Sequence, residues 1–449
     1  MTRSIRATGG GRFIPVEEPA TLPGAGGPRH ALPPGRNRSS TRNSLIASSS
    51  GLASGLLNAA VLALSARDGQ TGEIAAYTVV TAALTLVGIA VAGGSPLLYI
   101  SGDAEQRRAV RSQWVFLTLP SMAVGTVAIG AFYSRSGYEW PAMLAVGAVA
   151  VGNNLAALQL GDLARELRFI RSALVICGCK VPALLMVVTG ARLTTALLVA
   201  TVVQFLVAEA CLGRHSWLRP ARLTDLSPRR AMSVFGMNRH LFTYTIAEFY
   251  SGRVTTVALS LIATPRVMGA FGAVISVYQA LGGVLLAALR VSLVGRVRIR
   301  QGIGGRTGPD RQAELVAVLG ATVMAVVTAV GAPWISGELL RLPDSGPAVW
   351  LILLAVALPF MTVARAATLN LIGDADYGTA TRIMLLNAAL ISPLAIVAVP
   401  LAGPMGAAVS TLGAEVLTVA ALGLPWLRRR GRWPAVAGPP LRGQGRPAP

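Results

Sequence analysis

Lysine is almost missing from this chain: Lys180 stands alone, and arginine carries nearly all the positive charge. Charged residues of every kind make up only 13%, and aromatics 6%. A water-facing surface needs about a quarter of its residues charged, so an ordinary soluble domain is excluded. The cysteines, Cys177, Cys179 and Cys211, sit in or at the end of apolar stretches. Their spacing suits neither a disulfide framework nor a zinc site, and they read as small buried apolar residues. The histidines, His30, His215 and His240, fall in tails or basic loops, which leaves no metal constellation. No GxxxxGK[ST] loop occurs, and no soluble stretch is long enough for an ATP-binding domain. The outer loops lack a cluster of catalytic residues. Neither an enzyme nor a resident cofactor is expected.

What is present is apolar: 53% hydrophobic residues and a mean hydropathy of +0.59 mark an all-α polytopic membrane protein. A net charge of +21 would suggest nucleic acid as the partner of a soluble protein. Here the arginines lie between apolar spans, where they act as topology signals, and no nucleic acid is expected.

Length and apolarity predict twelve transmembrane helices, at 44–66, 74–100, 112–133, 139–162, 169–190, 192–213, 239–262, 266–292, 312–334, 346–371, 378–399 and 403–426. Residues 1–43 are rich in Gly, Pro and Arg, have no signal-peptide core, and read as a disordered cytoplasmic tail, with the first span as the uncleaved membrane signal. Residues 44–213 form one six-helix lobe, 214–238 a basic cytoplasmic linker, 239–426 a second six-helix lobe, and 427–449 a disordered basic tail. Each loop on one side carries a single arginine: Arg67, Arg135, Arg192, Arg266 and Arg341. The other arginines crowd the tails and the alternate loops, which puts both termini in the cytoplasm of a cell inner (plasma) membrane.

The halves repeat weakly. Ser54–Leu64 aligns with Ser251–Leu261, Ala75–Gly88 with Gly269–Gly282, and Thr195–Gln204 with Gly406–Glu415. The common order predicts two pseudo-repeat lobes in the same orientation, related by an axis along the membrane normal, with a cavity between them.

A few polar residues stand inside the predicted spans. Glu248 and Arg253 share the seventh but are about 140° apart around a helix. Tyr244, Glu248, Ser251 and Thr255 share one face; Arg253, Thr256 and Ser260 share another. Two readings stand: faces lining a polar pathway for an anionic, hydrogen-bonding substrate, or an ion pair with a partner elsewhere in the bundle. Lys180 in the fifth span is either a cavity cation or a snorkelling side chain. Arg290, at the end of the eighth, divides the same way, and Arg365 is assigned to the cytoplasmic interface. Glu415 and Glu209 are the other buried acids. Glu209, near a helix end, reads as an interhelical hydrogen-bond partner, and Asn387 as interhelical glue.

Several longer stretches carry a resemblance: Thr71–Arg108, the seventh-to-eighth-span stretch with VMGAFGAVISVYQALGGVLLAAL, Ala332–Phe360, and the segment in which Gly403, Gly406, Ala407 and Ala408 precede Glu415. Along its membrane part the chain resembles the Wzx-like polysaccharide flippases of the multidrug/oligosaccharidyl-lipid/polysaccharide (MOP) exporter superfamily, a MATE-like fold. The resemblance implies a V-shaped cavity, alternating access, and transfer of an undecaprenyl-diphosphate-linked oligosaccharide for cell-surface polysaccharide biosynthesis. It also implies cavity cations that hold the diphosphate, with Arg253, Lys180 and Arg290 as candidates and Tyr244 beside them. Members of that family often have an acidic residue near the middle of the seventh span, before a basic one. Here Gly252 precedes Arg253 and the acid lies earlier, at Glu248.

Three further readings are weighed against a lipid-linked glycan flippase. A cation-coupled multidrug or metabolite antiporter of the same fold would couple through Glu248 or Glu415. A membrane scaffold would use its basic loops on anionic lipids or an assembly partner. A major-facilitator carrier also has six plus six spans. For the flippase the expected partners are the lipid-linked glycan, membrane lipids, and a glycan polymerase or glycosyltransferases.

Overall fold

The computed structural model describes residues 37–92, 99, 104–165, 168–213, 226–237, 239–300, 311–342, 345–374 and 376–429, and every regular element among them is helical. The tail at 1–36, most of the linker and 430–449 lie outside the described residues. The first helix, α1, runs Asn37–Arg67, so 37–43, expected in the tail, are helical. α2 follows at Thr71–Ala92. α3, Ala104–Gln113, passes through a π-helical turn, Trp114–Thr118, into α4, Leu119–Ser134. Pro120 has no N–H to donate, and the wider turn ahead of it absorbs the missing bond.

Next come α5, Trp140–Arg165, and the broken pair α6, Phe169–Gly178, and α7, Lys180–Val188. Pro182 cannot donate to the carbonyl of Gly178, four residues back, and the helix breaks there. α8, Leu193–Leu212, closes the first half. The linker contains a helix of its own, α9, Pro228–Met237, packed on α3. Ala231 and Val234 face inward while Arg229 and Arg230 remain exposed.

The second half begins with α10, Arg239–Ser260, and α11, Pro265–Arg300. α12, Arg311–Trp334, runs into a second π turn, Ile335–Leu339, and α13 spans Gly346–Gly373. The last helical stretch, Tyr377–Arg429, has 53 residues. As one rod it would be about 80 Å long, yet Asn387 Nδ2 donates to Thr418 Oγ1 at 2.7 Å. The stretch is a hairpin of two limbs, α14 (377–402) and α15 (404–429), turned at Gly403, whose φ of 55° and ψ of −129° are not helical. Only glycine adopts such a conformation without steric cost.

Each expected span overlaps one of these helices or a joined pair of them; of the second, 74–100, the part at 93–98 and 100 lies outside the described residues. By length and apolarity alone, nine helices among the described residues suffice to cross a membrane, the hairpin counting as one. Ala53–Arg67 is a shorter apolar stretch, and α10, which carries Arg239, Glu248 and Arg253, is outside that set.

Two groups of helices pack within themselves: α5 against α8, α2 and α4, and α13 against the hairpin, α11 and α12, with α10 on the hairpin as well. They meet chiefly where α1 lies on α11 and where α2 lies on α10 and α11. Small residues permit the approach. A side chain at Gly55 would come within 3.1 Å of the Ala280 carbonyl oxygen. Gly269 abuts the Thr71 carbonyl and Gly272 the Thr78 side chain, with no room for a Cβ. An apolar cluster crosses the seam, joining Leu62, Ile74 and Leu84 to Leu259, Phe271 and Val274. Beside it the hydroxyls of Tyr133 and Ser260 share a hydrogen bond of 2.6 Å.

Polar groups at the ends of the first half are tied locally. Glu73 in α2 accepts from the backbone N–H and the hydroxyl of Thr194 (2.8 and 3.0 Å), capping α8, and pairs with Arg192. Glu139 also takes Arg192, at 2.7 Å. These carboxylates, Glu139 first, hold the guanidinium's pKa above its ordinary value. At the other end Tyr99 donates to Asp162 at 2.8 Å, and Arg111 bonds both.

Gly272→Leu is expected to wedge α2 from α11 and destabilise the detergent-solubilised protein by about 1–3 kcal/mol. Gly320→Leu, at a glycine with open space around it, serves as the control and is expected to leave the unfolding midpoint unchanged.

Candidate functional site

Four helices of the second half bring one cation and two acids together. Arg365, on α13, is 7% exposed, although the helix around it is apolar. Its Nη1 lies 3.5 Å from Glu248 Oε1 on α10 and donates to the Met384 sulfur on α14 at 2.9 Å. Glu415 on α15, also 7% exposed, is close enough to act electrostatically on both Arg365 and Glu248. Among the described residues its carboxylate forms no hydrogen bond or ion pair. Tyr244 and Tyr278 complete the surroundings, each within electrostatic reach of Arg365. The Tyr244 hydroxyl donates to Thr368 Oγ1 at 3.4 Å, and Tyr278 donates to the Met361 sulfur at 3.4 Å.

The geometry follows from α10's periodicity. Tyr244 and Glu248 are one turn apart and point together at α13 and the hairpin. Tyr250 extends the contact, its hydroxyl 3.1 Å from that of Ser392. Arg365, assigned from its sequence position to the cytoplasmic interface, is enclosed by the helices of its own half. It is buried because Glu248 is there to receive it, and a buried carboxylate without a cation would be far more costly. The sequence signal was available: an arginine among small residues (VARAAT), well inside an apolar helix, with no neighbouring charge.

Arg253 points elsewhere. It is half-buried on the side of α10 that packs on α2, within electrostatic reach of Tyr77. No carboxylate among the described residues pairs with it. Thr256, on the same face and fully buried, has a hydroxyl oxygen with no hydrogen-bond partner among them. α10 therefore separates its charges: the acid turns into its own half and the cation toward the other.

The remaining candidates are dispersed. Lys180 opens α7 at the break after Gly178 and is partly exposed. Its neighbour Cys177 donates to the Ser50 carbonyl of α1 at 3.4 Å, which places the break against α1. Arg290 is on α11, but its side chain lies outside the described residues. Glu209 accepts from Gln159 Nε2, an interhelical hydrogen bond between α8 and α5. Asn387 bonds across the hairpin, as interhelical glue should.

No protein-family model matches the chain, and no curated protein matches it by sequence. Solved structures do match. The lipid II flippase MurJ in an inward closed conformation superposes over 86% of this chain and 87% of its own, at a TM-score of 0.57 and 13% identity. A point mutant of the Vibrio cholerae MATE transporter VcmN covers 87% and 98% (TM-score 0.50, 14% identity). The eukaryotic MATE transporter AtDTX14 covers 86% and 95% (TM-score 0.50, 15% identity). The chain has the fold of MATE transporters and MurJ. It is a polytopic helical membrane fold, and the likeness extends over nearly the whole described structure.

Within that fold the charged groups divide the chemistry. The Arg365 cluster holds one guanidinium between two acids and has no spare positive charge to offer an anion. Arg253 does have one, together with the unsatisfied Thr256 hydroxyl. Glu248→Ala is expected to leave Arg365 poorly compensated and to destabilise the protein by about 3 kcal/mol. Arg253→Ala, which breaks no ion pair among the described residues, is expected to change stability by no more than about 0.5 kcal/mol. Thermal unfolding of both variants in one detergent measures the contrast.

Proposed function

We propose that this chain is a membrane flippase of the MOP type, carrying an anionic lipid-linked oligosaccharide from the inner to the outer leaflet by alternating access. The observation that carries the reading is Arg253: a cation deep in α10, on the seam toward the other half, with no carboxylate among the described residues to neutralise it. A guanidinium in that position binds phosphate oxygens bidentately, and it gains most where the dielectric is low. The likeness to MurJ, a lipid II flippase by its description, supports the same class of cargo. We place twelve helices in two six-helix lobes, 44–213 and 239–426, with both termini cytoplasmic.

In this mechanism Arg253 attracts the diphosphate of an undecaprenyl-diphosphate-type substrate. Thr256 and Tyr77 offer hydrogen bonds nearby, and the prenyl chain stays in lipid. Lys180 and Arg290 supply further positive charge as the head group moves. Tyr244, directed at Thr368, belongs with the acid cluster rather than with the phosphate. Rocking of the lobes about the α1–α11 and α2–α10 contacts then exposes the head group outside. A glycan polymerase or glycosyltransferases would act on either side of this step.

A second reading is favoured by one observation, the Glu415 carboxylate beside Arg365, which has no bonded partner among the described residues: a cation-coupled antiporter of the same fold, working through Glu248 and Glu415. Purified protein in vesicles decides. Translocation of a labelled prenyl-diphosphate oligosaccharide is expected to accelerate with protein present and to fall at least about tenfold in Arg253→Ala, the loss of one charge-assisted contact. Equal rates with and without protein would sink the flippase reading, and dye efflux that collapses with the proton or sodium gradient would favour the antiporter.

A further inference from the structure

The arrangement of Glu248, Arg365 and Glu415 carries a conclusion that does not depend on the cargo. Two carboxylates from different helices, α10 and α15, converge inside the bundle of the second half. Two converging acids in a low-dielectric interior form a strong field for a small cation, and they would ordinarily recruit one from solution. Here a cation is already present, covalently attached to α13. The Arg365 guanidinium is 3.5 Å from Glu248 Oε1, is held by Met384, and lies in the field of Glu415. It is also almost fully shielded from solvent.

We propose that Arg365 is a tethered cation that occupies the position an alkali ion would take between Glu248 and Glu415, so that the second half binds no external alkali ion while Arg365 is in place. Several features fit this role. The guanidinium stays charged at any physiological pH, unlike a lysine, so the block is not relieved by deprotonation. Its long side chain reaches the acids from a third helix, which ties α10, α13 and the hairpin together without a soluble ligand. Oxygen groups an ion needs are at hand: the acids themselves, and Thr368, whose hydroxyl lies 3.1 Å from the Arg365 carbonyl oxygen one turn along α13. Removing the guanidinium therefore exposes a ready-made cation site. Arg365 sets the ion selectivity of this half by exclusion.

The test uses the full chain in detergent or nanodiscs and reads the thermal unfolding midpoint in NaCl, KCl and choline chloride at equal ionic strength. Wild type and Arg365→Lys, which keep a tethered cation, are expected to show the same midpoint in all three salts. Arg365→Gln is expected to gain a saturable upward shift of several degrees in NaCl or KCl over choline chloride. Arg365→Gln/Glu415→Gln, which lacks the second acid, is expected to lose that shift. A saturable alkali-specific shift in wild type overturns the proposal. So does a folded Arg365→Gln that ignores the salt, or an Arg365→Gln that fails to fold in every alkali salt while the double variant folds. Because no transport is measured, failure of the glycan translocation assay leaves this result standing, and the reverse also holds.

Discussion

A charge inside a lipid-embedded bundle must be neutralised, solvated or used, and the placement of α10, α13 and the hairpin follows from that constraint. Glu248 and Arg365 would each be costly alone inside the bundle. Together they form an ion pair of 3.5 Å whose remaining cost is offset by Met384 and by the field of Glu415. The pair fixes the rotation of α10 about its own axis. With Glu248 turned toward α13, the opposite side of α10 must carry Arg253 toward α2 and the other half. One electrostatic requirement thus decides which face of the seventh span is structural and which is offered to the seam.

The seam is built on different physics. Between α2 and α11 the helices touch through Gly269, Gly272 and Thr78, where backbones approach closely because little side chain intervenes. Dispersion between close surfaces, with few polar bonds, is the ordinary glue of membrane helices. Such a contact is firm while closed but costs no ion pair to separate. That suits a hinge region better than the charged cluster, which lies wholly within the second half. The Glu73 clamp on α8 does the corresponding job within the first half, by capping a helix and holding Arg192.

Much of this was legible along the chain. Runs of apolar residues mark the helices, because hydrocarbon accepts only segments whose backbone bonds are satisfied internally. Pro120 and Pro182 are visible along the chain, and the structure has a π turn before the first and a break before the second. Helical geometry alone separated Glu248 from Arg253. The helix at 37–43, in a stretch read as a disordered tail, and the helix inside the basic linker were not legible in the sequence.

The sequence by itself determined that the protein is helical and apolar enough to cross a membrane many times, and which residues carry charge within the spans. Both are local properties, set by composition and by the fixed pitch of a helix. It did not determine that Glu248 belongs to Arg365, or that Arg253 is left without a carboxylate among the described residues. Those outcomes depend on how α10, α13 and the hairpin rotate against one another, and nothing in a single helix fixes that rotation. Only packing three helices around one buried charge made Arg365 part of the core, and the same packing turned Arg253 toward the seam.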